Sequence, residues 1–215
     1  NGIAAMSNSG LYGKTKIAEG IVGSAPLLFG DKVANILDKH ISAAPKRFKG
    51  IRSQAAMHPD GTIPSTRARP IEGVYINDMF HQGFAHLEPR NLSFEAWCYH
   101  PQLPQLIQLA KKFPNTSIIL NHFGGPLGIG SFTDKEEETY SFWEKHITEL
   151  SKCENVVAKL GGIAMEINGF KWHLNKKAPS GLELINRTKR YYEKTLDLFG
   201  IDRCMFESNF PVDKI

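Results

Sequence analysis

Short β-branched runs that alternate with amphipathic helical patterns constrain this chain more than any other feature. Six runs read as strands, at residues 20–23, 48–53, 92–99, 118–120, 155–162 and 204–208. They are too short for helices and largely apolar, as in strands buried in a parallel sheet. Five helical patterns lie between them. Their apolar positions are Val33, Ile36, Leu37 and Ile41, then Met79, Phe80, Gly83, Phe84 and Leu87, then Leu103, Leu106, Ile107, Ala110 and Phe113, then Phe142, Trp143, Ile147 and Leu150, and finally Leu184, Tyr191, Leu196 and Phe199. Strand–helix alternation of this kind requires right-handed crossovers and a parallel sheet. Two architectures satisfy it, a (β/α)8 TIM barrel and a doubly wound open sheet. The first strand is not followed by a glycine-rich phosphate loop, and long loops follow several strands, so the barrel fits better.

A closed barrel has eight strands and six are legible. The chain also begins at Asn1 without methionine. It therefore reads as a single α/β barrel domain over residues 1–215, a fragment lacking the first two strands and the last helix. Such a piece would have open sheet edges, and the expectation is that on its own it associates or aggregates.

Local punctuation supports the helix boundaries. Asp31 is placed to cap the first helix, Pro45 lies beyond its end, Ser180 and Glu183 form a capping box, and Gly200 ends the last helix. Residues 1–13 read as loop. Two further loops are long enough to be functional: residues 54–69, with His58, Arg67 and Arg69, and residues 163–179, with Trp172 and His173.

Composition narrows the function classes. Hydrophobic residues at 41% and charged residues at 22% are ordinary for a globular protein. No apolar run approaches the ~20 residues of a membrane span. The net charge of +4 is spread without a basic block, which argues against a nucleic-acid surface and is compatible with an anionic small substrate. Cys98, Cys153 and Cys204 are far apart and make no zinc pattern; their sparsity fits a reducing cytoplasm. The expected partner is a small molecule, and self-association into a homo-oligomer is left open.

In a barrel the carboxyl ends of the strands converge on one cavity, where chemistry is placed. Residues 116–126, Thr-Ser-Ile-Ile-Leu-Asn-His-Phe-Gly-Gly-Pro, put His122 where a buried strand leaves the core. A core histidine bonded to a carbonyl is the bland alternative. At the other strand ends stand Arg52, Tyr99 with His100, Lys159, and Asn209 with Asp213. Arg52 offers a fork matched to a carboxylate, or makes a rim salt bridge. Tyr99 is a substrate contact or an ordinary rim aromatic. His100 is held extended by Pro101. Lys159 lies inside an apolar strand and must find a partner or shift its pKa downwards. Asp213 either acts in the site or caps a following helix. Trp172 and His173 either close a pocket or belong to a surface loop. Polar residues at successive strand ends are a better signal together than singly.

Four stretches resemble one family: Phe94-Glu-Ala-Trp-Cys-Tyr-His-Pro-Gln-Leu-Pro, Leu120-Asn-His-Phe-Gly-Gly-Pro, Val157-Ala-Lys-Leu-Gly-Gly, and Phe199-Gly-Ile-Asp-Arg-Cys-Met-Phe-Glu-Ser-Asn-Phe-Pro-Val-Asp. They resemble the amidohydrolase superfamily, specifically the amidohydrolase-related (amidohydrolase 2) barrels, a group with pyrone-dicarboxylate and fuconolactone-type lactonases. The resemblance implies a distorted barrel with a His-x-His pair on a first strand absent here. It makes residues 20–23 the third strand, so that Arg52, Tyr99, His122, Lys159 and Asn209/Asp213 fall on the fourth to eighth. It implies a carboxylate-binding Arg52, a substrate-contacting Tyr99 and a catalytic His122, which would also be a ligand if a metal is bound. One departure stands out. The family's eighth strand usually reads Gly-Ser/Thr-Asp-aromatic-Pro, whereas Ser208-Asn209-Phe210-Pro211 puts Asn209 at the aspartate's place.

The expected reaction is attack of water on the carbonyl of a lactone or related cyclic ester of a small carboxylate-bearing or sugar-acid substrate. His122 would polarise the carbonyl, Asp213 would take the proton, and Arg52 with Tyr99, His100, Lys159 and His173 would bind substrate. The cofactor is none or one divalent metal, zinc or manganese. A metal-dependent decarboxylase of an aromatic acid and a non-catalytic barrel binding an anionic metabolite are the alternatives.

Overall fold

The computed structural model describes residues 2–66 and 71–213. Arg67 and Arg69 lie outside the described residues. The centre is a parallel sheet of six strands: β1 (Ile21–Gly23), β2 (Phe48–Gln54), β3 (Ser93–Trp97), β4 (Ile118–Leu120), β5 (Val156–Leu160) and β6 (Cys204–Phe206). The strands lie side by side in chain order. That order excludes a doubly wound sheet, in which the sequence of strands reverses at a switch point. Six parallel strands advancing in one direction fit part of a (β/α)8 barrel wall.

Helices α1 (Gly2–Asn8), α2 (Ala34–Ala43), α3 (Asp78–Phe84), α4 (Leu103–Lys112), α5 (Glu136–Ser151) and α6 (Gly181–Phe199) accompany the sheet. Because side chains alternate along a strand, the two sheet faces differ sharply. Ile51, Phe94, Ala96, Ile118, Leu120, Val156 and Ala158 are at most 1% exposed. They form one core cluster with Leu37, Phe84, Leu106, Trp143 and Ile147 from the helices. Trp143 is its largest fully buried side chain, and its indole N–H donates to the Phe123 carbonyl at 2.7 Å, so the polar edge of that ring is satisfied. The opposite face carries Arg52, Glu95, Ile119 and Val157, which are register partners across four strands, followed by Lys159 opposite Met205. Apolar burial builds the helix-side face, and the charged residues that would be costly there are confined to the other.

Several local expectations are corrected. Residues 2–8 form α1 rather than loop. Asp31 does not cap α2: it sits inside a 3-10 turn (Leu27–Val33), and its carboxylate instead meets His86 Nε2 at 2.8 Å. Met79, Phe142 and Leu196 share the period of the apolar faces but are 45%, 39% and 38% exposed. The capping box is present: Ser180 Oγ accepts from the Glu183 amide, and the Glu183 carboxylate accepts from the Ser180 amide at 2.8 Å. Among the described residues no helix is long and apolar enough to cross a membrane.

Candidate active site

Glu95, in the middle of β3, is the hub. Its residue is 5% exposed, and its carboxylate receives Arg52 Nε at 2.8 Å and Arg52 Nη2 at 2.5 Å, both on Oε2. Lys159 Nζ donates to Oε1 at 2.9 Å. Asn121 Nδ2 lies 3.5 Å from Oε2, and its Oδ1 accepts from Arg52 Nη2 at 3.4 Å. The register explains the meeting: Arg52 and Glu95 are direct partners across β2 and β3, and Lys159 lies two residues beyond Val157 on the same face of β5. Burial alone would raise the Glu95 carboxyl, but the Lys159 and Arg52 hydrogen bonds outweigh it and hold the group below the ordinary carboxylate value. Glu95 is therefore ionised at neutral pH, between two cations.

Lys159 links this hub to a second pair, because Glu207 Oε2 lies 3.6 Å from its ammonium. Glu207 Oε1 is 2.6 Å from His122 Nδ1. Neither atom has a hydrogen bond of acceptable geometry, and both are fully buried. His122 itself is 5% exposed, has φ of 52° and packs edge-on against Trp97 at 4.8 Å between ring centroids. The glycine pair after β5 makes this possible. A Cβ on Gly162 would fall 2.0 Å from His122 Nδ1, and one on Gly161 would fall 2.6 Å from Glu207 Cγ. Asn209 Nδ2 donates to Asp213 Oδ1 at 2.8 Å. Burial raises the Asp213 carboxyl against the opposing effect of that hydrogen bond.

Of the residues singled out from sequence, Arg52 and Lys159 enter the Glu95 cluster, and His122 joins them through Glu207. Tyr99 is 1% exposed and donates its hydroxyl to the Pro64 carbonyl at 2.5 Å, tying the loop after β2 to the end of β3. His100 is 1% exposed, packs against Phe132 and Phe142, and accepts from the Leu127 amide at 3.2 Å. Burial pushes its pKa down to about 3, so it is neutral. His173 is exposed in a 3-10 turn (Trp172–Leu174), while Trp172 is buried and stacks on Phe170. Three residues central to the geometry escaped the sequence reading: Glu95, Asn121 and Glu207. Glu95 had a usable signal, a lone charge in an apolar strand like Lys159, whose need for a partner it meets.

Metal chemistry can be tested on the donor set. His122 Nδ1 and Glu207 Oε1 are two donors with unmet bonding, whereas a structural zinc takes about four ligands and a catalytic one about three from protein. Among the described residues no group of three or more His, Cys, Asp or Glu is placed to hold a metal ion. Lys159 stands beside the same carboxylate. The described residues therefore do not by themselves fit a metal, and no step is derived through one.

Comparison with known proteins agrees with this architecture. The amidohydrolase family model matches residues 15–214. The protein y4mH of Sinorhizobium fredii is 32% identical over 206 residues, 96% of this chain and 61% of its own length. An L-fucono-1,5-lactonase of Burkholderia multivorans is 26% identical over 133 residues, 62% of this chain and 42% of its own. Among solved structures, an amidohydrolase from Burkholderia multivorans with bound zinc superposes with a TM-score of 0.71 at 20% identity, over 98% of this chain and 64% of that one. A putative 2-pyrone-4,6-dicarboxylic acid hydrolase from Pseudomonas putida gives 0.52 at 13% identity, over 89% of this chain and 55% of that one. The chain thus spans less than two thirds of these relatives. Its strand order, its strand-end cluster and the match along nearly its whole length lead to one assignment: the chain belongs to the amidohydrolase family.

Proposed function

We propose that the protein of which this chain forms the described part is a hydrolase that opens a lactone or related cyclic ester by attack of water on the carbonyl carbon. The observation that carries the reading is the convergence of Arg52, Glu95, Lys159, His122 and Glu207 on the inner sheet face and its strand ends. An amidohydrolase barrel with two further strands ahead of β1 is part of the proposal, supported by the 61% and 64% coverage of relatives.

In this mechanism water adds to the carbonyl, and His122 stabilises the charge that develops on its oxygen. Asp213, or a carboxylate beside it, takes the water's proton. The proton returns to the ring oxygen as the carbon–oxygen bond breaks, giving a hydroxy acid. Arg52 and Lys159 orient the substrate, with Tyr99, His100 and His173 shaping the surrounding loops. The lactonase names of two relatives support the lactone class. The test is a panel of lactones on the full-length protein, read by acid release. Turnover that collapses in His122→Ala is the expected result, and wild-type turnover in that variant overturns the assignment.

The zinc bound by the Burkholderia multivorans amidohydrolase favours a second reading, hydrolysis assisted by a divalent metal, zinc or manganese. Metal analysis of the full-length protein, with turnover before and after chelation, separates the two.

A further inference from the structure

We infer that the chain carries a second binding site, a ring-lined cavity between the loop after β4 and the N-terminal part of α5, and that it takes a small neutral aromatic molecule bearing a hydrogen-bond acceptor, such as an aryl ketone. The cavity measures about 320 Å³, within the range of pockets that hold small organic molecules. His100 and Pro101, which open the 3-10 turn after β3 (His100–Gln102), line it together with Phe132, Lys135, Glu138 and Phe142. Arg52, Glu95, Lys159, His122 and Glu207 take no part in its walls.

The walls select a flat ring. His100 meets Phe132 at 4.9 Å between centroids and 74° between planes, and meets Phe142 at 5.6 Å and 82°. Each phenyl ring is backed by a further imidazole: His58 stands edge-on to Phe132 at 5.1 Å, and His146 lies against Phe142 at 4.1 Å. Walls packed in this way are set before a ligand arrives. A planar aromatic ring can stack on one of them while meeting another edge-on, and an aliphatic ring of similar volume gains neither contact.

The buried end supplies the directional contact. His100 Nδ1 accepts from the Leu127 amide at 3.2 Å. Burial keeps the imidazole neutral, so its one proton sits on Nε2. Among the described residues Nε2 has no hydrogen-bond partner, and unlike His122 Nδ1 it is not sealed in the interior. The ring is 1% exposed and lines the cavity, so this N–H opens onto it. Thr139, the other buried polar side chain in the walls, spends its hydroxyl on the Leu127 carbonyl at 3.1 Å. A ligand acceptor at Nε2 would satisfy the donor left over. Charge narrows the class further. A carboxylate or ammonium pushed to the neutral His100 would lose its water without gaining a counter-charge. Lys135 and Glu138 are exposed at the mouth, where solvent screens them.

The experiment titrates the full-length protein with acetophenone, with ethylbenzene, which keeps the ring and outline without the acceptor, and with acetylcyclohexane, which keeps the acceptor without the aromatic ring. Binding is read by saturation-transfer NMR and by the nitrogen shifts of the His100 imidazole. Acetophenone is expected to bind about fivefold or more tightly than either analogue and to move the Nε2 resonance. Phe142→Ala removes a ring that is already 39% exposed, so the fold should persist while acetophenone weakens by about fivefold or more. His100→Phe keeps a ring and removes the N–H, and is expected to make acetophenone and ethylbenzene bind alike. Arg52→Ala is expected to leave acetophenone binding unchanged, which separates this cavity from the strand-end cluster. Absence of saturation transfer at millimolar acetophenone overturns the inference. So does equal binding of the three compounds to the wild type, or binding that survives Phe142→Ala and is lost in Arg52→Ala. The wild-type comparison decides the matter even if a variant fails to fold, and it does not depend on hydrolase activity.

Discussion

His122 Nδ1 and Glu207 Oε1 stand 2.6 Å apart in a fully buried position, and neither is hydrogen-bonded. Two polar atoms so close and so enclosed are stable only if each serves the other. Oε1 has no access to solvent, so Glu207 acts on His122 rather than on a bulk water molecule. It fixes the direction of the imidazole ring, and Lys159 steadies its other oxygen. Glu207→Gln preserves the shape and removes the charge. It is expected to lower kcat by about 10²-fold while KM changes little, because positioned proton-transfer and polarising groups contribute roughly 10²–10⁴. Steady-state kinetics of the full-length protein on the best lactone would check this, and an unchanged kcat would remove Glu207 from the site.

Gly162 is where backbone geometry and chemistry meet. Its φ is +78°, and a Cβ there would collide with His122 Nδ1 at 2.0 Å. Gly162→Ala meets both penalties. Positive φ alone costs of order 1–3 kcal/mol. Displacement of the imidazole is expected to remove activity beyond what the lost stability explains. Urea denaturation paired with kinetics would separate the two effects. Gly61, where nothing lies within 4 Å of an added Cβ, is a control whose alanine variant should keep full activity.

His100 makes folding pH-dependent. Burial lowers its pKa to about 3, against an ordinary value of 6.5. Between those values the unfolded chain binds a proton that the folded chain refuses. The contribution is therefore fully present above pH 6.5 and is lost as pH falls toward 3, at up to about 1.4 kcal/mol per pH unit. Glu95 adds acid sensitivity with a separate origin. Its carboxyl is held below the ordinary value of 4.5, so its stabilisation is present above that value and is lost as the folded group protonates. His100→Gln is expected to flatten the stability profile between pH 6.5 and 4.5 and to make the fall between 4.5 and 3 shallower, leaving there only the part that comes from Glu95 and other carboxylates. Chemical denaturation at stepped pH would measure both.

The scaffold was more legible than the site. Strand positions follow from short β-branched runs, and the core face follows from alternation, so Ile51, Phe94, Ile118 and Val156 are where periodicity puts them. Residues 2–8 are mostly small, and their two large apolar side chains, Ile3 and Met6, are exposed, so seven residues without a buried stripe give no helical periodicity from which to read α1. Lys159 announced that it needed a partner, but the partner is 64 residues away and only strand register brings it close. Glu207 left no comparable trace. It lies just past β6, and its approach to His122 depends on two glycines after a different strand. Tyr99 and His100 have the residue types of a site, yet their hydrogen bonds to Pro64 and Leu127 brace the loops around it.

Asp213 is the remaining test of the proton path. Burial raises its carboxyl, and Asn209 bonds one of its oxygens. A base of this kind works only when deprotonated, so activity should fall as pH drops through a value above the ordinary 3.8. Asp213→Asn is expected to lower kcat by about 10²-fold and to erase that acid limb. Asn209→Ala removes the amide that favours the charged form. It should move the limb to higher pH and leave the plateau rate nearly unchanged. A pH–rate profile of Asp213→Asn that overlays the wild type would take the proton away from Asp213 and leave His122, oriented by Glu207, as the acceptor.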